Sequence, residues 1–148
     1  MKNKRLIWII SLGFVIALIL GIGLYRYYSE PTYSATDVLK RADFNAEEQS
    51  VEVTKFDLEV DGGYIPIELT ETTQKKLIKA FEKSEFKKDE SLSFDNDYSM
   101  KITLNTGYFM FMDIAGKRIA VEDNRGSYDS YLFVDDKFFS ILEKATTK

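Results

Sequence analysis

The chain opens with one long apolar segment. No charged residue occurs from Leu6 to Tyr25, and a helix that rises about 1.5 Å per residue would carry this run across the ~30 Å hydrocarbon core of a bilayer. The basic residues Lys2, Lys4 and Arg5 precede it, and such a cluster favours the cytoplasmic side. The pattern predicts a single-pass signal-anchor in the cell membrane, with a transmembrane helix over residues 6–25, a cytoplasmic tail at residues 1–5 and an extracytoplasmic remainder.

Two other topologies are open at this point. Gly21 and Gly23 are small residues at the spacing that a signal peptidase recognises, which would fit a cleaved secretory signal. The apolar run is longer than the usual ~7 to 15 residue core of such signals, and this favours a retained anchor. Arg26, Lys40 and Arg41 follow the run and would favour the reversed orientation, but they are more dispersed than the N-terminal cluster.

Small residues recur along the apolar run. Gly13, Ala17 and Gly21 are spaced four apart, which places them on one stripe where two helices can approach closely. The stripe is a candidate surface for helix dimerisation or for contact with another membrane protein. The alternative is that glycine and alanine are simply frequent in membrane helices.

After this run, the pattern changes to a polar stalk and then to short alternating elements. Residues 26–50 are polar and contain Pro31, which predicts a linker before a folded domain at residues 51–148. The alternation and the turn residues between segments predict an antiparallel meander with two helices. The predicted strands are Val51–Val60, Tyr64–Leu69, Ser91–Phe94, Tyr98–Leu104, Tyr108–Ile114, Arg118–Glu122 and Tyr128–Val134, and the predicted helices are Glu71–Lys83, capped by Thr70, and Asp136–Lys144, capped by Asp135.

Two of these strands have positions that the sequence itself indicates. Tyr108–Ile114 is apolar on both of its faces, so it should be a central strand that is covered on both sides by the two helices. Pro66 removes an amide from its strand, and this favours the edge of a sheet. The fold class expected is therefore α+β, with an N-terminal transmembrane helix followed by a small antiparallel-sheet domain packed with two helices.

Charge and composition exclude several function classes. All 24 acidic residues follow position 29, so the C-terminal part is more acidic than the whole chain at net charge -4, and such a surface repels nucleic acid. The chain has no cysteine and no histidine, which excludes disulfides, thiol nucleophiles, the usual zinc sites and a Ser-His-Asp triad. We assign no catalytic, cofactor-binding or metal-binding residue and expect no cofactor.

Two sets of side chains remain as candidates for function. Carboxylates gather around the last turns and could serve as an acid/base pair or a cation site, although turns and helix caps also favour them; they are Glu122, Asp123, Asp129, Asp135 and Asp136. Aromatic and methionine side chains of the meander could form a binding face for a peptide, a glycan or a membrane partner, although a sheet core explains them too. They are Tyr98, Tyr108, Met110, Met112, Tyr128 and Tyr131.

The layout carries a resemblance to a known group of domains. Tyr98 opens one strand, the Tyr108–Phe109 run lies in the next, and Tyr131 precedes the last helix. Over residues 51–145 this order resembles small uncharacterised extracytoplasmic domains of lipoproteins and single-pass membrane proteins of Gram-positive bacilli. The resemblance implies a location and a layout, and it carries no activity.

These patterns favour a membrane-anchored extracytoplasmic binding module that is not an enzyme. Its expected partners are the lipid bilayer, through residues 6–25, and a membrane protein or a second copy of the chain, through the helix. No nucleic acid is expected. The alternatives are a cell-envelope enzyme that uses carboxylates and a structural or assembly subunit of a membrane complex.

Overall fold

A computed structural model describes residues 13–25, 30–59, 61, 63–91, 95–122 and 126–147. The chain divides into two compact units, Met1–Pro31 and Thr32–Lys148. In the first unit residues 13–25 form helix α1, whose apolar side chains are exposed, Phe14 by 69% and Ile19 by 63%. Across the residues that the structure describes, no helix is both long enough and apolar enough to cross a membrane. The first part of the predicted span, up to residue 12, lies outside the described residues.

The second unit is an α+β domain built on one antiparallel sheet. Within the described residues, eight strands lie in the order β1-β4-β8-β7-β6-β5-β2-β3, and every neighbouring pair is antiparallel. The strands are β1 Thr32–Ser34, β2 Ser50–Phe56, β3 Tyr64–Ile67, β4 Glu85–Lys88, β5 Tyr98–Thr103, β6 Gly107–Asp113, β7 Arg118–Glu122 and β8 Tyr128–Phe133. The helices are α2 Ala35–Val38, α3 Glu71–Glu82 and α4 Lys137–Thr146.

The antiparallel meander over β5 to β8 is confirmed, as are the central position of Tyr108–Ile114 and the edge position of the strand that contains Pro66. Strands β5 to β8 pair in sequence, and β6 lies between β5 and β7 as a central strand. Strand β3, which contains Pro66, is one edge of the sheet. Thr70 caps α3 through its side chain, which accepts a hydrogen bond from the Thr73 amide.

The core lies on one face of the sheet only. Side chains alternate between the faces of a strand, and the register aligns the buried residues Val53, Met100, Met110 and Val121 in one row. Both long helices cover this face, because Phe133 of β8 contacts rings of both α3 and α4. The ring centroids lie 5.7 Å from Phe81 and 4.9 Å from Phe138.

The prediction that the two helices cover opposite faces of β6 is therefore wrong. On the other face Phe109 and Phe111 are half-buried and Tyr128 is exposed, and these rings contact each other at 5.0 and 5.4 Å. The apolar residues on this face pack along the sheet rather than under a helix. Neighbouring aromatic rings shield one another from water, so an apolar pattern on both phases does not require two helical layers.

Strand β4 was not predicted from the sequence. It lies between β1 and β8, but Phe86 is its one buried residue, so its pattern is mainly charged. The strand expected at Ser91–Phe94 is not shown: residue 91 is outside any strand and residues 92–94 lie outside the described part of the chain.

The folded unit begins at Thr32 rather than near Val51, so residues 32–50 are part of the domain and not a stalk. Strand β1 pairs with β4, and Leu39 after α2 is fully buried. Helix α2 begins with a capping box, in which the Ser34 side chain accepts from the Asp37 amide and the Asp37 carboxylate accepts from the Ser34 amide.

Helix α4 begins one residue later than predicted. Its N-cap is Asp136, whose side chain makes no capping hydrogen bond and pairs with Lys117 instead. Asp135 Oδ1 accepts a hydrogen bond of 2.9 Å from the Lys137 amide. Both carboxylates thus have structural partners at the start of the helix.

A buried ionic cluster fixes the turn between β6 and β7. Asp113 is 2% exposed and lies 3.1 Å from the Arg118 guanidinium, while Asp89 Oδ2 lies 3.6 Å from it, within ion-pair distance but beyond a hydrogen bond. The guanidinium also donates to Ser91 Oγ at 3.1 Å. A Cβ on Gly116 would lie 2.4 Å from the Asp113 carboxylate and 2.3 Å from Arg118 Nε, so glycine lets the turn close over the ion pair.

Candidate binding groove

A groove runs between residues 38–41, here called the strap, and the adjacent ends of β6, β7 and β8. It consists of two adjoining cavities of about 370 and 440 Å³ that share Lys40, Asp129 and Tyr131. Both volumes lie within the range of small-ligand sites, about 300 to 1,000 Å³. The other lining residues are Val38, Arg41, Thr106, Gly107, Tyr108, Phe109, Val121 and Glu122 in the first cavity, and Tyr33, Thr36, Asp37 and Lys88 in the second.

The strap is held to the sheet by its own backbone. The Lys40 carbonyl accepts a hydrogen bond from the Tyr108 hydroxyl, and the Arg41 carbonyl accepts one of 2.8 Å from Asn105 Nδ2. Asn105 Oδ1 accepts in turn from the Asp43 amide at 3.1 Å. Together with the buried Leu39, these bonds fix the strap at three successive residues.

Arg41 adopts a left-handed backbone conformation with φ of 72°. This region is sparsely populated by residues other than glycine, at a cost of about 1 to 2 kcal/mol. The Asn105 hydrogen bonds to the Arg41 carbonyl and from the Asp43 amide offset part of that cost. Lys40 and Arg41 both line the first cavity, and neither forms an ion pair with another described residue.

The second cavity of the groove is organised around Tyr131. Its ring is 5% exposed, the Lys88 ammonium lies 4.9 Å from its centroid, and the Tyr33 ring meets it edge-on at 5.8 Å. Lys88 also forms an ion pair with Asp129. Lys88 and Tyr131 are direct neighbours across β4 and β8, so the sheet register itself brings the cation to the ring.

These contacts shift two pKa values in the same direction. Burial lowers the pKa of the Lys88 ammonium, but the hydrogen bond to Asp129 and the negative charges around it outweigh burial and raise the pKa overall. Burial raises the pKa of the Tyr131 hydroxyl, and the Asp129 charge adds to this shift while Lys88 opposes it. At neutral pH Lys88 is therefore a cation and Tyr131 a neutral phenol that can donate a hydrogen bond.

The structure places the six predicted binding-face residues in three environments. Tyr108 and Tyr131 line the groove, whereas Met110 and Met112 are fully buried in the core. Tyr98 is half-buried and packs against the core. Tyr128 lies on the opposite face, 47% exposed. The six residues do not form one surface: Tyr128 has the opposite parity to Tyr131 along β8 and so lies on the other face, and Met110 and Met112, on the same face as Tyr108, are enclosed by the core.

The candidate carboxylates separate in a similar way. Glu122 and Asp129 line the same cavity, Asp135 and Asp136 lie at the start of α4, and Asp123 is outside the described residues. Among the residues that are described, no three or more histidine, cysteine, aspartate or glutamate side chains are grouped to hold a metal ion. On α1 the predicted stripe is open, since a Cβ added at Gly13 or Gly21 would meet no atom within 4 Å.

Sequence reasoning identified Tyr108, Tyr131, Glu122 and Asp129 as candidates but none of the other lining residues of the groove. Lys40 and Arg41 fell in the predicted stalk, and Tyr33 and Lys88 belong to strands that were not predicted. One usable signal was the capping box at Ser34 with the apolar pair Val38 and Leu39, which is typical of an ordered helical turn. Comparison with protein-family models, with curated proteins and with solved structures finds no match for the chain.

Proposed function

We propose that this chain is a membrane-anchored extracytoplasmic binding module, and that it binds its ligand in the strap groove without transforming it. The observation that carries the proposal is the groove itself: a strap fixed by its backbone contributes Lys40 and Arg41, which form no ion pair with another described residue, to a cavity that Tyr108 and Tyr131 also line. Recognition sites combine aromatic surface with a few placed polar groups in this way.

The membrane part of the proposal is supported by the N-terminal sequence. The uncharged run Leu6–Tyr25 and the basic residues before it are typical of an anchor whose C-terminal side is translocated. The exposed apolar side chains of α1 provide the surface that lipid would cover. The layout resemblance to extracytoplasmic domains of Gram-positive bacilli favours the same location.

Protease treatment of intact cells tests the topology. We expect the domain to be digested and a membrane-bound stub to remain, because the anchor is retained and the domain lies outside. A soluble mature form that starts near Leu24 would show that the segment is a cleaved signal. Complete protection from the protease would place the domain inside the cell.

Photo-crosslinking of the full chain in cells tests the groove. A photoreactive residue at Lys40, which lines both cavities, should give a crosslinked product that is lost when Lys88→Glu reverses a charge in the lining of the second cavity. The same residue at Lys75 is the control, because that side chain is 70% exposed on α3 and lies outside the groove lining. Equal products from both positions, or a product insensitive to Lys88→Glu, would contradict binding in the groove.

A carboxylate-based envelope enzyme is the second candidate, because Glu122 and Asp129 line one cavity. Loss of one member of an acid/base pair removes a factor of about 10² to 10⁴ in rate. If Glu122→Gln and Asp129→Asn each abolish cellular function in a folded, correctly located protein, while Lys40→Gln leaves function intact, the enzyme hypothesis is adopted in place of the binding-module hypothesis.

A structural or assembly subunit is the third candidate, and the open stripe of α1 favours it. Substituting Gly13 and Gly21 by leucine would block a close helix contact without touching the domain. Loss of function in that variant, with groove variants unaffected, would assign the main role to the helix.

A further inference from the structure

The sheet face opposite α3 and α4, here called the open face, has an aromatic centre with a charge on each side. Phe109 and Phe111 of β6 are half-buried there, and their ring centroids lie 5.0 Å apart. Lys101 of β5 and Glu122 of β7 are both exposed. The open face consists of alternate residues of five strands, namely Glu52, Thr54, Ser99, Lys101, Phe109, Phe111, Ala120, Glu122, Tyr128 and Ser130.

The sheet register aligns the two charges with Phe109 in one row. Lys101 pairs directly with Phe109, and the pairing of β6 with β7, continued by one residue, places Glu122 beside Phe109 on the opposite side. Since neighbouring strands lie about 4.8 Å apart, the cation and the anion are equally distant from β6, in opposite directions. Neither Lys101 nor Glu122 forms an ion pair with another described residue.

Strand parity separates these side chains from the core. Their neighbours Met100, Met110 and Val121 are buried on the side of the helices, and successive side chains of a strand point to opposite faces. Glu122 also lines the first cavity of the groove, but its strand position and its exposure place its carboxylate on the open face.

We infer that the open face binds a second copy of this chain, face to face, about a two-fold axis that runs along β6. A half-turn about this axis keeps each row level and exchanges β5 with β7. Lys101 of each copy then faces Glu122 of the other copy, while Phe109 faces its own counterpart. A two-fold interface requires this self-complementarity. Packed sheets lie about 10 Å apart, a gap that a lysine and a glutamate side chain span together.

The rest of the open face is compatible with the same rotation. Strand β2 is exchanged with β8, so that Glu52 faces Tyr128 of the second copy and Thr54 faces its Ser130. No two like charges of the open face are brought together. Other occupants fit less well, because a lipid surface would desolvate both Lys101 and Glu122, and a partner of one charge sign would meet one like charge.

The open face is small for a dimer of free chains. Five strands about 4.8 Å apart and two rows of residues cover roughly 300 Å² per copy, less than half of the about 800 Å² that each partner buries in a standard interface. Association is therefore weak in solution and becomes effective where copies are held close together, as the proposed anchor would hold them. The inference goes beyond the proposed function, since it concerns a surface other than the ligand site.

Energy transfer between labelled copies of the full chain in liposomes measures the association. The chain has no cysteine, so Lys75→Cys, at a side chain that is 70% exposed on α3, provides a single site for a donor or an acceptor dye. We expect more transfer than random encounter gives at the same protein density. Lys101→Glu should weaken association at least ten-fold, because it sets like charges against each other, and Glu122→Lys should do the same. Lys79→Glu, exposed on α3, is the matched control and should leave transfer unchanged.

Combined charge reversals make the geometry specific. The double variant Lys101→Glu with Glu122→Lys exchanges the two signs, so both ion pairs re-form and association should recover. A mixture of the two single variants should also associate, although neither single variant associates with itself, because each ion pair of the mixed dimer again joins opposite charges. A charge effect unrelated to this pairing would not be reversed in the double variant.

Three outcomes overturn the inference: transfer in the unmodified chain no greater than random encounter, equal transfer in Lys101→Glu and Lys79→Glu, or no recovery in the double variant. Transfer that persists in both charge variants and is lost in Gly13→Leu with Gly21→Leu assigns association to α1 instead. Failure of the dimer leaves the crosslinked product at Lys40 in place, whereas loss of that product alone refutes the groove and leaves the dimer standing.

Discussion

Replacing Arg118 by methionine should destabilise the domain by about 3 kcal/mol. The guanidinium is 20% exposed and lies between two carboxylates that are 2% and 7% exposed, those of Asp113 and Asp89. Methionine keeps most of the apolar stem and removes the charge, so two buried carboxylates lose their cation. Removing one partner of a buried ion pair typically costs about 3 to 5 kcal/mol, and the Gly116 amide, which donates to Asp113 at 2.7 Å, compensates in part.

Thermal and urea unfolding of the full chain in detergent measure this loss. For a domain of this size, about 3 kcal/mol corresponds to a decrease of roughly 10 °C in Tm. Lys117→Met is the matched control, because it removes a neighbouring cation whose pair with Asp136 is 44% and 66% exposed. Exposed pairs contribute about 0 to 1 kcal/mol, so the control should shift the Tm by only a few degrees.

The double variant Asp113→Asn with Arg118→Met distinguishes two causes of instability: loss of the ion-pair attraction, and burial of a carboxylate that has no cation beside it. If an uncompensated carboxylate causes the instability, the double variant should be more stable than Arg118→Met alone. The reasoning fails if Arg118→Met costs no more than Lys117→Met, or if removing the Asp113 charge makes Arg118→Met worse.

Four further outcomes follow from the contacts described. Leu39→Ala should destabilise the domain by about 2 to 5 kcal/mol, because Leu39 is fully buried, and denaturant unfolding against the exposed Leu58→Ala measures it. The pKa values of Lys88 and Tyr131 are raised in the folded protein, so both groups contribute stability that is present below their unfolded pKa values, near 10, and is lost as the pH rises through the folded ones. Tyr131→Phe should therefore make the free energy of unfolding fall less steeply at alkaline pH. An unchanged pH dependence would contradict the shift. Asp136→Asn should change stability by less than about 1 kcal/mol, because its pair with Lys117 is exposed, and a larger loss in urea unfolding would refute that assignment. Amide exchange should be slower in β6 than in β3, since β6 is paired on both sides and β3 is an edge; equal rates would contradict the strand order.

The sequence predicted those parts of the fold whose signals are local. Strand β7 begins at Arg118 and ends at Glu122 as predicted, because its alternation lies between two clear turns. Helix α3 begins after Thr70 because the threonine side chain supplies a cap. The edge position of the strand that contains Pro66 could be predicted from proline alone, because proline has no amide hydrogen to donate to a neighbouring strand.

The rest depends on contacts between distant residues. Strand β4 has one buried residue, Phe86, and it is a strand because β1 and β8 pair with it on either side. In the groove, Lys40 meets Tyr108 across 68 positions of the chain, and no local pattern encodes that contact. When a strand has apolar residues on both faces, as β6 does, its sequence does not indicate which face the helices cover.

The two edges of the sheet determine how the domain behaves at high concentration. An open edge offers unpaired amides and carbonyls to another chain, and long flat edges promote intermolecular strand addition. Here one edge, β1, is only three residues long, and the other, β3, is four residues long and contains Pro66. A second chain would find few backbone partners at β1, and at β3 the proline presents no amide to pair with. The sheet that the described residues form thus offers little backbone for edge-to-edge addition of a second copy, which would matter most under the proposed anchoring, because an anchor concentrates copies in two dimensions.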